Sequence, residues 1–295
     1  MEIDSALSKL IQTVVTRSRE LLQDSLFCER HRTSKQHFTR QRVLSFMNVM
    51  LFILGKSVRS LQNRLHDFFE ALGSLEQSVT ASAWCQSRMK LCHTAFIELN
   101  QRAILEVIYS PDSGFPVRRW RGHRLLGIDS SLLRLPAEEA VGQEFGWVAC
   151  ANEQGACGRY AQARLSVLTD VLNRIAIHTR LVAFAQGERS LAAEHLLAMT
   201  ADDIAILDRG YASYELLAQF VKHQRLFLCR CPRSSFRVVN ELFRADVAGR
   251  SLICQVSVPH ADRAAMSQQG LPLILTLRFV TVCQARRVSR RIEAD

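Results

Sequence analysis

The run Asp203-Ile204-Ala205-Ile206-Leu207-Asp208-Arg209-Gly210-Tyr211 constrains this chain more than any other stretch. Its apolar part is short, holds β-branched residues and stops at a glycine, so length and punctuation predict a buried strand rather than a helix. Asp208 therefore stands just past a strand end, where open α/β sheets place their chemistry. A plainer role is available, in which Asp208 caps the helix beginning near Ser213. A second run of the same kind, Leu125-Leu126-Gly127-Ile128-Asp129-Ser130-Ser131, shifts the balance. Two strand-end carboxylates brought side by side repel each other unless a cation sits between them. Mg²⁺ or Mn²⁺ is the expected occupant, since both take oxygen ligands and a pair of such ions can clamp both oxygens of a phosphoryl transfer.

Charge names the partner. The chain of 295 residues carries a net +10, and arginine far outnumbers lysine. That balance points to a polyanion, with nucleic acid favoured over a membrane surface because no basic amphipathic segment stands alone. No apolar run approaches the ~20 residues that span a bilayer. Met1 to Glu20 is charged throughout, without the apolar centre of a signal peptide, so a cytoplasmic location is expected. The nine cysteines fit reduced, mostly buried thiols. Cys229-Arg230-Cys231 is the closest pair; on a strand both sulfurs face one side, and no further Cys or His stands at zinc spacing.

Residues 1–110 read as helical, from apolar positions recurring at three and four in Leu7, Leu10, Ile11, Val14 and again from Val43 to Leu54. Between these lies the basic segment Arg30 to Arg42, which is either a solvated linker or a phosphate contact through Arg40 and Arg42. Ser57 is placed as the cap of a helix through Leu65. Thr80 to Lys90 reads as a further helix whose Ser, Gln, Arg88 and Lys90 suit either a recognition helix or any exposed amphipathic one. Tyr109 to Pro116, with two prolines and a glycine, is the expected linker. Arg118-Arg119-Trp120-Arg121-Gly122-His123-Arg124 then leads into the Asp129 strand, either as a phosphate and base platform or as solvated arginines around a packed tryptophan.

Ala137 to Ala161 reads as loops. Arg164 to Val171 and Arg174 to Val182 read as a hairpin, Gly187 to Leu197 as a helix, then come the Asp208 strand and a helix from Ser213 to Gln224. Strand, hairpin, helix, strand, helix is the ribonuclease-H-like order, which sets the Asp129 and Asp208 strands side by side. Leu226 to Cys231, Phe236 to Leu242, Ser251 to Val258 and Leu271 to Val282 read as strands of a β-rich insertion. The expected class is thus α/β: a ribonuclease-H-like mixed-sheet core at 117–224, a β-rich insertion at 225–282, a preceding α-helical DNA-binding region, and a basic tail at 283–295 that looks out of frame.

With these pieces in place the chain resembles the DDE transposases of bacterial insertion sequences, most closely the insertion sequence 4 family. The resemblance rests on Gly127-Ile128-Asp129-Ser130-Ser131 with Leu135-Pro136, on Ala163 to Leu172, on Gly187-Glu188-Arg189 and on Leu207-Asp208-Arg209-Gly210-Tyr211, with Phe38 to Arg42 and the Ser82 to Phe96 helix before them. It implies metal-dependent cleavage and transfer of the element's own DNA ends, with Asp129 and Asp208 as two of three metal-binding carboxylates. Arg209 and Tyr211 join Arg40, Arg42, Arg88, Lys90, Arg118, Arg119 and Arg121 as expected contacts to double-stranded DNA, and a homodimer on DNA is the expected assembly. The family's third residue, a glutamate on a downstream helix flanked by Tyr, Arg and Lys, has no good match. Glu293 in Ile292-Glu293 lacks the flanking residues, and Glu144 is the fallback. The chain is therefore expected to be truncated and impaired in cleavage, or to act as a non-catalytic DNA-binding remnant that competes for element ends. A ribonuclease-H-like repair nuclease is a third reading, weakened by the long helical N-terminus.

Overall fold

The computed structural model describes residues 2–40, 42–55, 58–73, 79–151, 155, 157–245 and 249–282. The basic tail and Glu293 lie outside the described residues. The chain divides into two compact units, Met1–Val117 and Arg118–Asp295.

The first unit is helical: α1 (Glu2–Gln23), α2 (Ser25–His31), α3 (Phe46–Leu54), α4 (Leu61–Ala71), α5 (Ala81–Arg88) and α6 (Thr94–Leu99), which continues through a π-helical stretch, Asn100–Leu105, into α7 (Glu106–Tyr109). Short polar caps set the starts. Asp24, Ser45, Ser60 and Thr80 each accept a hydrogen bond from an N–H of the first turn. Ser60 thus takes the role expected of Ser57, which lies outside the described residues. Two apolar clusters hold the helices, one around Phe27, Phe46, Met50 and Leu99, the other around Phe52, Leu65, Phe69 and Trp84. Glu98 ties α2 to α6: it accepts from Arg30 at 2.7 Å, from Arg102 at 3.0 Å, and meets His31 Nε2 at 2.8 Å. The Arg30 hydrogen bond, with those of Arg102 and His31, holds the Glu98 carboxyl down at about 2.

The second unit is built on a mixed sheet. Its strands are β1 (Arg124–Leu135), β2 (Trp147–Ala151), β3 (Cys157–Asp170), β4 (Ile175–Ala183), β5 (Asp203–Leu207) and β6 (Leu226–Cys229). β3 runs antiparallel to β1, β2 and β4, whereas β1, β5 and β6 are mutually parallel in that order. The β3–β4 turn is fixed by Asp170, whose carboxylate accepts from Leu172 N, Asn173 N and Asn173 Nδ2. Helices α9 (Glu188–His195) and α10 (Tyr214–Lys222) cover one face of the sheet, packing Ala192, Leu196, Leu216, Leu217 and Phe220 with Leu126, Ile128, Leu168, Ala205 and Leu207.

Three expectations need correction. Ala137 to Ala161 holds α8 (Glu139–Phe145), β2 and the start of β3 rather than loops. Here Gly142 lies so close under the Trp147 indole that a Cβ has no room, and Gly146 turns the chain at φ +102. Phe236 to Leu242 falls on a helix, α11 (Arg237–Ala245), because Val239 and Leu242 recur at helical spacing and bury together. The proposed insertion at 225–282 is also less β-rich than expected: β6 belongs to the main sheet, and the remainder is α11, α12 (Arg263–Gln268) and one hairpin of β7 (Ser251–Ser257) with β8 (Ile274–Val280). Leu275, Leu277 and Phe279 of that hairpin join the same core as α10.

Candidate active site

Strands β1 and β5 pair in parallel, with Arg124 opposite Asp203 and Gly127 opposite Ile206. Asp129 and Asp208 each lie two residues beyond that last pair. They therefore occupy equivalent positions on neighbouring strands spaced about 5 Å apart. Because side chains alternate, they share the face opposite the buried Leu126, Ile128, Ala205 and Leu207. Among the described residues, Val171, Leu181, Leu226 and Leu228 are exposed on that face. Both aspartates are exposed. Asp129 accepts the Ser130 N–H at 2.9 Å. Asp208 opens a short 3-10 turn, Arg209–Tyr211, without a side-chain capping bond, and α10 is capped by Ser213. Helix capping therefore does not account for Asp208.

The turn after Asp208 is held from several sides. Tyr211 is 3% exposed, and its hydroxyl meets Ser130 Oγ at 3.3 Å, which links the residue after Asp129 to the turn after Asp208. Burial pushes the Tyr211 phenol up, partly offset by the Ser130 hydrogen bond. Arg189 Nε donates to Gly210 O at 2.9 Å, and Arg230 N donates to Leu207 O at 3.0 Å. Tyr211 is thus a packing and positioning residue, and its expected contact to DNA is corrected: the ring is inside the core. Arg209 is exposed beside Asp208.

The Arg118 to Arg124 segment leads into the start of β1 and ends five residues before Asp129. Trp120 and His123 exchange backbone hydrogen bonds of 2.8 and 2.9 Å around Arg121-Gly122, leaving Trp120 50% exposed with the Arg121 guanidinium 5.0 Å from its ring. Arg118, Arg119 and Arg121 are exposed. Arg124 is not part of this platform, because it forms a bidentate pair with Asp203, both hydrogen bonds 2.7 Å. In the helical unit Arg40, Arg42 and Arg88 are exposed, Arg88 against the Trp84 ring at 5.3 Å, and Lys90 is half-buried. Thr33 N donates to Lys90 O and Cys92 N to His31 O, so the two basic segments of that unit adjoin. Arg30 and Arg32 are engaged internally, with Glu98 and with the His37 carbonyl.

Among the described residues no group of three or more His, Cys, Asp or Glu side chains is arranged to hold a metal ion. Glu188 binds Arg164, which pairs with Leu132 in β1 and so belongs to the face opposite Asp129. Sequence reasoning missed the positioning roles of Ser130 and Arg189, and a buried chain in which His178 Nδ1 meets His195 Nδ1 at 2.8 Å and His195 Nε2 meets Ser166 Oγ at 3.0 Å. The Gly187-Glu188-Arg189 motif was the one available signal for Arg189.

No protein-family model and no curated protein sequence matches the chain. Among solved structures, it is similar to a piggyBac transposase seen by cryo-EM in a synaptic complex with hairpin DNA, at 12% sequence identity and a TM-score of 0.36, over 82% of this chain and 56% of that one. The chain thus spans little more than half the length of that transposase chain. Among the described residues no helix is long and apolar enough to cross a membrane.

Proposed function

We propose that this chain is a transposase polypeptide of the insertion-sequence type, with a ribonuclease-H-like core of the kind that cuts and rejoins an element's DNA ends, here impaired in cleavage. The observation that carries the reading is the equivalent placement of Asp129 and Asp208 on adjacent parallel strands, next to the antiparallel β1, β3 and β4. Two exposed carboxylates offer hard oxygen donors that suit Mg²⁺ or Mn²⁺. Such an ion, when bound, activates water for attack on the phosphodiester and stabilises the departing 3′ oxygen. Asp129 and Asp208 would hold it, and the Ser130–Tyr211 and Arg189–Gly210 hydrogen bonds keep the turn after Asp208 fixed against β1 and the residues around Asp129. Arg209 faces the scissile phosphate, while Arg118, Arg119 and Arg121, with Arg40, Arg42, Arg88 and Lys90, bind the DNA backbone. A homodimer on the two element ends fits this division of labour.

Two carboxylates leave a second cation under-coordinated, so the described residues alone favour DNA binding over cleavage. That supports the second reading, a non-catalytic protein that competes for element ends. The two separate on a DNA titration followed by incubation with Mn²⁺. Binding is expected to weaken steeply with salt, and Ala at Arg118, Arg119 and Arg121 together is expected to flatten the log-log slope by about 0.9 for each phosphate that is no longer neutralised. Affinity that stays flat with salt contradicts both readings. Little strand cleavage is expected; robust cleavage abolished by Asp129→Ala or Asp208→Ala instead favours the catalytic reading and directs the search for a third ligand to Glu144 or Glu293.

A further inference from the structure

Cys229 ends β6, and Cys231 follows it two residues later, the spacing at which an extended chain returns a side chain to the same side. Cys229 Sγ lies 3.9 Å from the Asp208 carbonyl oxygen and 3.6 Å from that of Arg230, while Cys231 Sγ lies 3.7 Å from the Cys229 carbonyl. Both residues are half-buried, so small oxidants reach them. Between them Arg230 N–H donates to Leu207 O, the last backbone bond joining β6 to β5 before Asp208.

We propose that Cys229 and Cys231 are a redox modification site, a dithiol that closes reversibly to a disulfide and loosens the strand end beside Asp208. The oxidant is a peroxide. The Cys231 sulfur attacks one peroxide oxygen, the O–O bond breaks, and the departing hydroxide takes up the thiol proton as water. The Cys229 sulfur then displaces hydroxide from the Cys231 sulfenic acid, which leaves as a second water with the Cys229 proton. Two thiols lose two electrons, and one peroxide becomes two waters. Extended residues two apart have Cα atoms roughly 6.6 Å from each other, close to the upper limit of about 6.8 Å for a disulfide. Closure therefore bends the chain at Arg230 and pulls on its bond to Leu207. A bridge under such tension is readily reduced, as labile regulatory disulfides are.

The test uses the full chain, oxidised with hydrogen peroxide, alkylated and digested with trypsin. Cuts follow Arg225, Arg230 and Arg233, so the expected product is Leu226 to Arg230 joined to Cys231 to Arg233, or the uncut span lighter by two hydrogens, in each case reversed by reductant and absent in Cys229→Ser and in Cys231→Ser. Hydrogen exchange of the Arg230 amide is expected to quicken on oxidation and to recover on reduction. Cys229 and Cys231 remaining alkylatable, or joined to other cysteines, overturns the site; an unchanged Arg230 amide in bridged protein overturns its coupling to the strand end. Neither readout depends on metal or DNA binding, so failure here is distinct from failure of the transposase reading.

Discussion

Strand β5 begins with one aspartate and is followed by another, and the two have opposite fates. Asp203 at the start is fully buried, bound by both arms of Arg124 and by Thr200 N–H at 2.7 Å. Burial pushes its carboxyl up, and the Arg124 guanidinium and the Thr200 N–H more than offset this, so it sits below the usual carboxylate range. Asp208, just past the other end, is exposed and lies beside Asp129 on the next strand. A buried charge survives in a fold only when it is neutralised locally. An exposed pair of like charges has no such internal neutralisation, which is what the proposed cation would supply.

The largest expected effect breaks the neutralised end. Arg124→Ala leaves Asp203 buried without its guanidinium and is expected to cost about 3 to 5 kcal/mol in urea denaturation, whereas Asp208→Asn is expected to change stability by no more than about 0.5 kcal/mol. Equal losses at the two positions contradict the contrast.

The covered face of the sheet also carries a pH signature. His195 is fully buried between His178 and Ser166, with Arg180 and Glu194 paired nearby at 2.6 Å. Burial, then the charges of His178 and Arg180, push its imidazole down to about 4. The folded state thus binds the proton less readily than the unfolded chain. Its stability is fully present above the unfolded value of about 6.5 and falls as pH drops through about 4. Denaturation at pH 7 and pH 4 is expected to differ by about 3 kcal/mol from this group, and the part due to it disappears in His195→Gln. A pH profile that His195→Gln leaves unaltered removes this role.

A smaller effect joins the turn after Asp208 to β1. Tyr211→Phe deletes the hydrogen bond to Ser130 and is expected to cost about 1 kcal/mol, with the salt dependence of DNA binding unchanged because the ring is internal. A loss of DNA affinity without a loss of stability returns Tyr211 to the surface role expected from the sequence.

What could be read from the sequence follows the range of the interactions. The Asp208 strand was legible because a five-residue apolar run closed by glycine is a local signal, and the β3–β4 hairpin because alternation and a Leu172-Asn173 turn are local too. The parallel placement of β6 beside β5 was not, since its register depends on residues separated by all of α10. Likewise α8 and β2 were hidden because Gly142 and Gly146 act through packing against Trp147 and Phe184 rather than through periodicity. Phe236 to Leu242 misled because the β-branched pair Val238-Val239 outweighed a helical spacing that only burial reveals. In the site, Asp208 was legible as a strand end, whereas Asp129 falls in the middle of β1, because the ladder with β3 carries the strand on to Leu135. The burial of Tyr211 and the withdrawal of Arg124 from the basic segment depend on tertiary partners, Ser130 and Asp203.

The central claim is that Asp129 and Asp208 share a divalent cation, and Mn²⁺ binding followed by electron paramagnetic resonance tests it most directly. The account predicts weak, saturable Mn²⁺ binding that Mg²⁺ displaces, that disappears in Asp129→Asn and in Asp208→Asn, and that persists in a variant such as Glu241→Gln. Mn²⁺ binding that survives loss of both aspartates, or no binding by the wild-type chain, contradicts it.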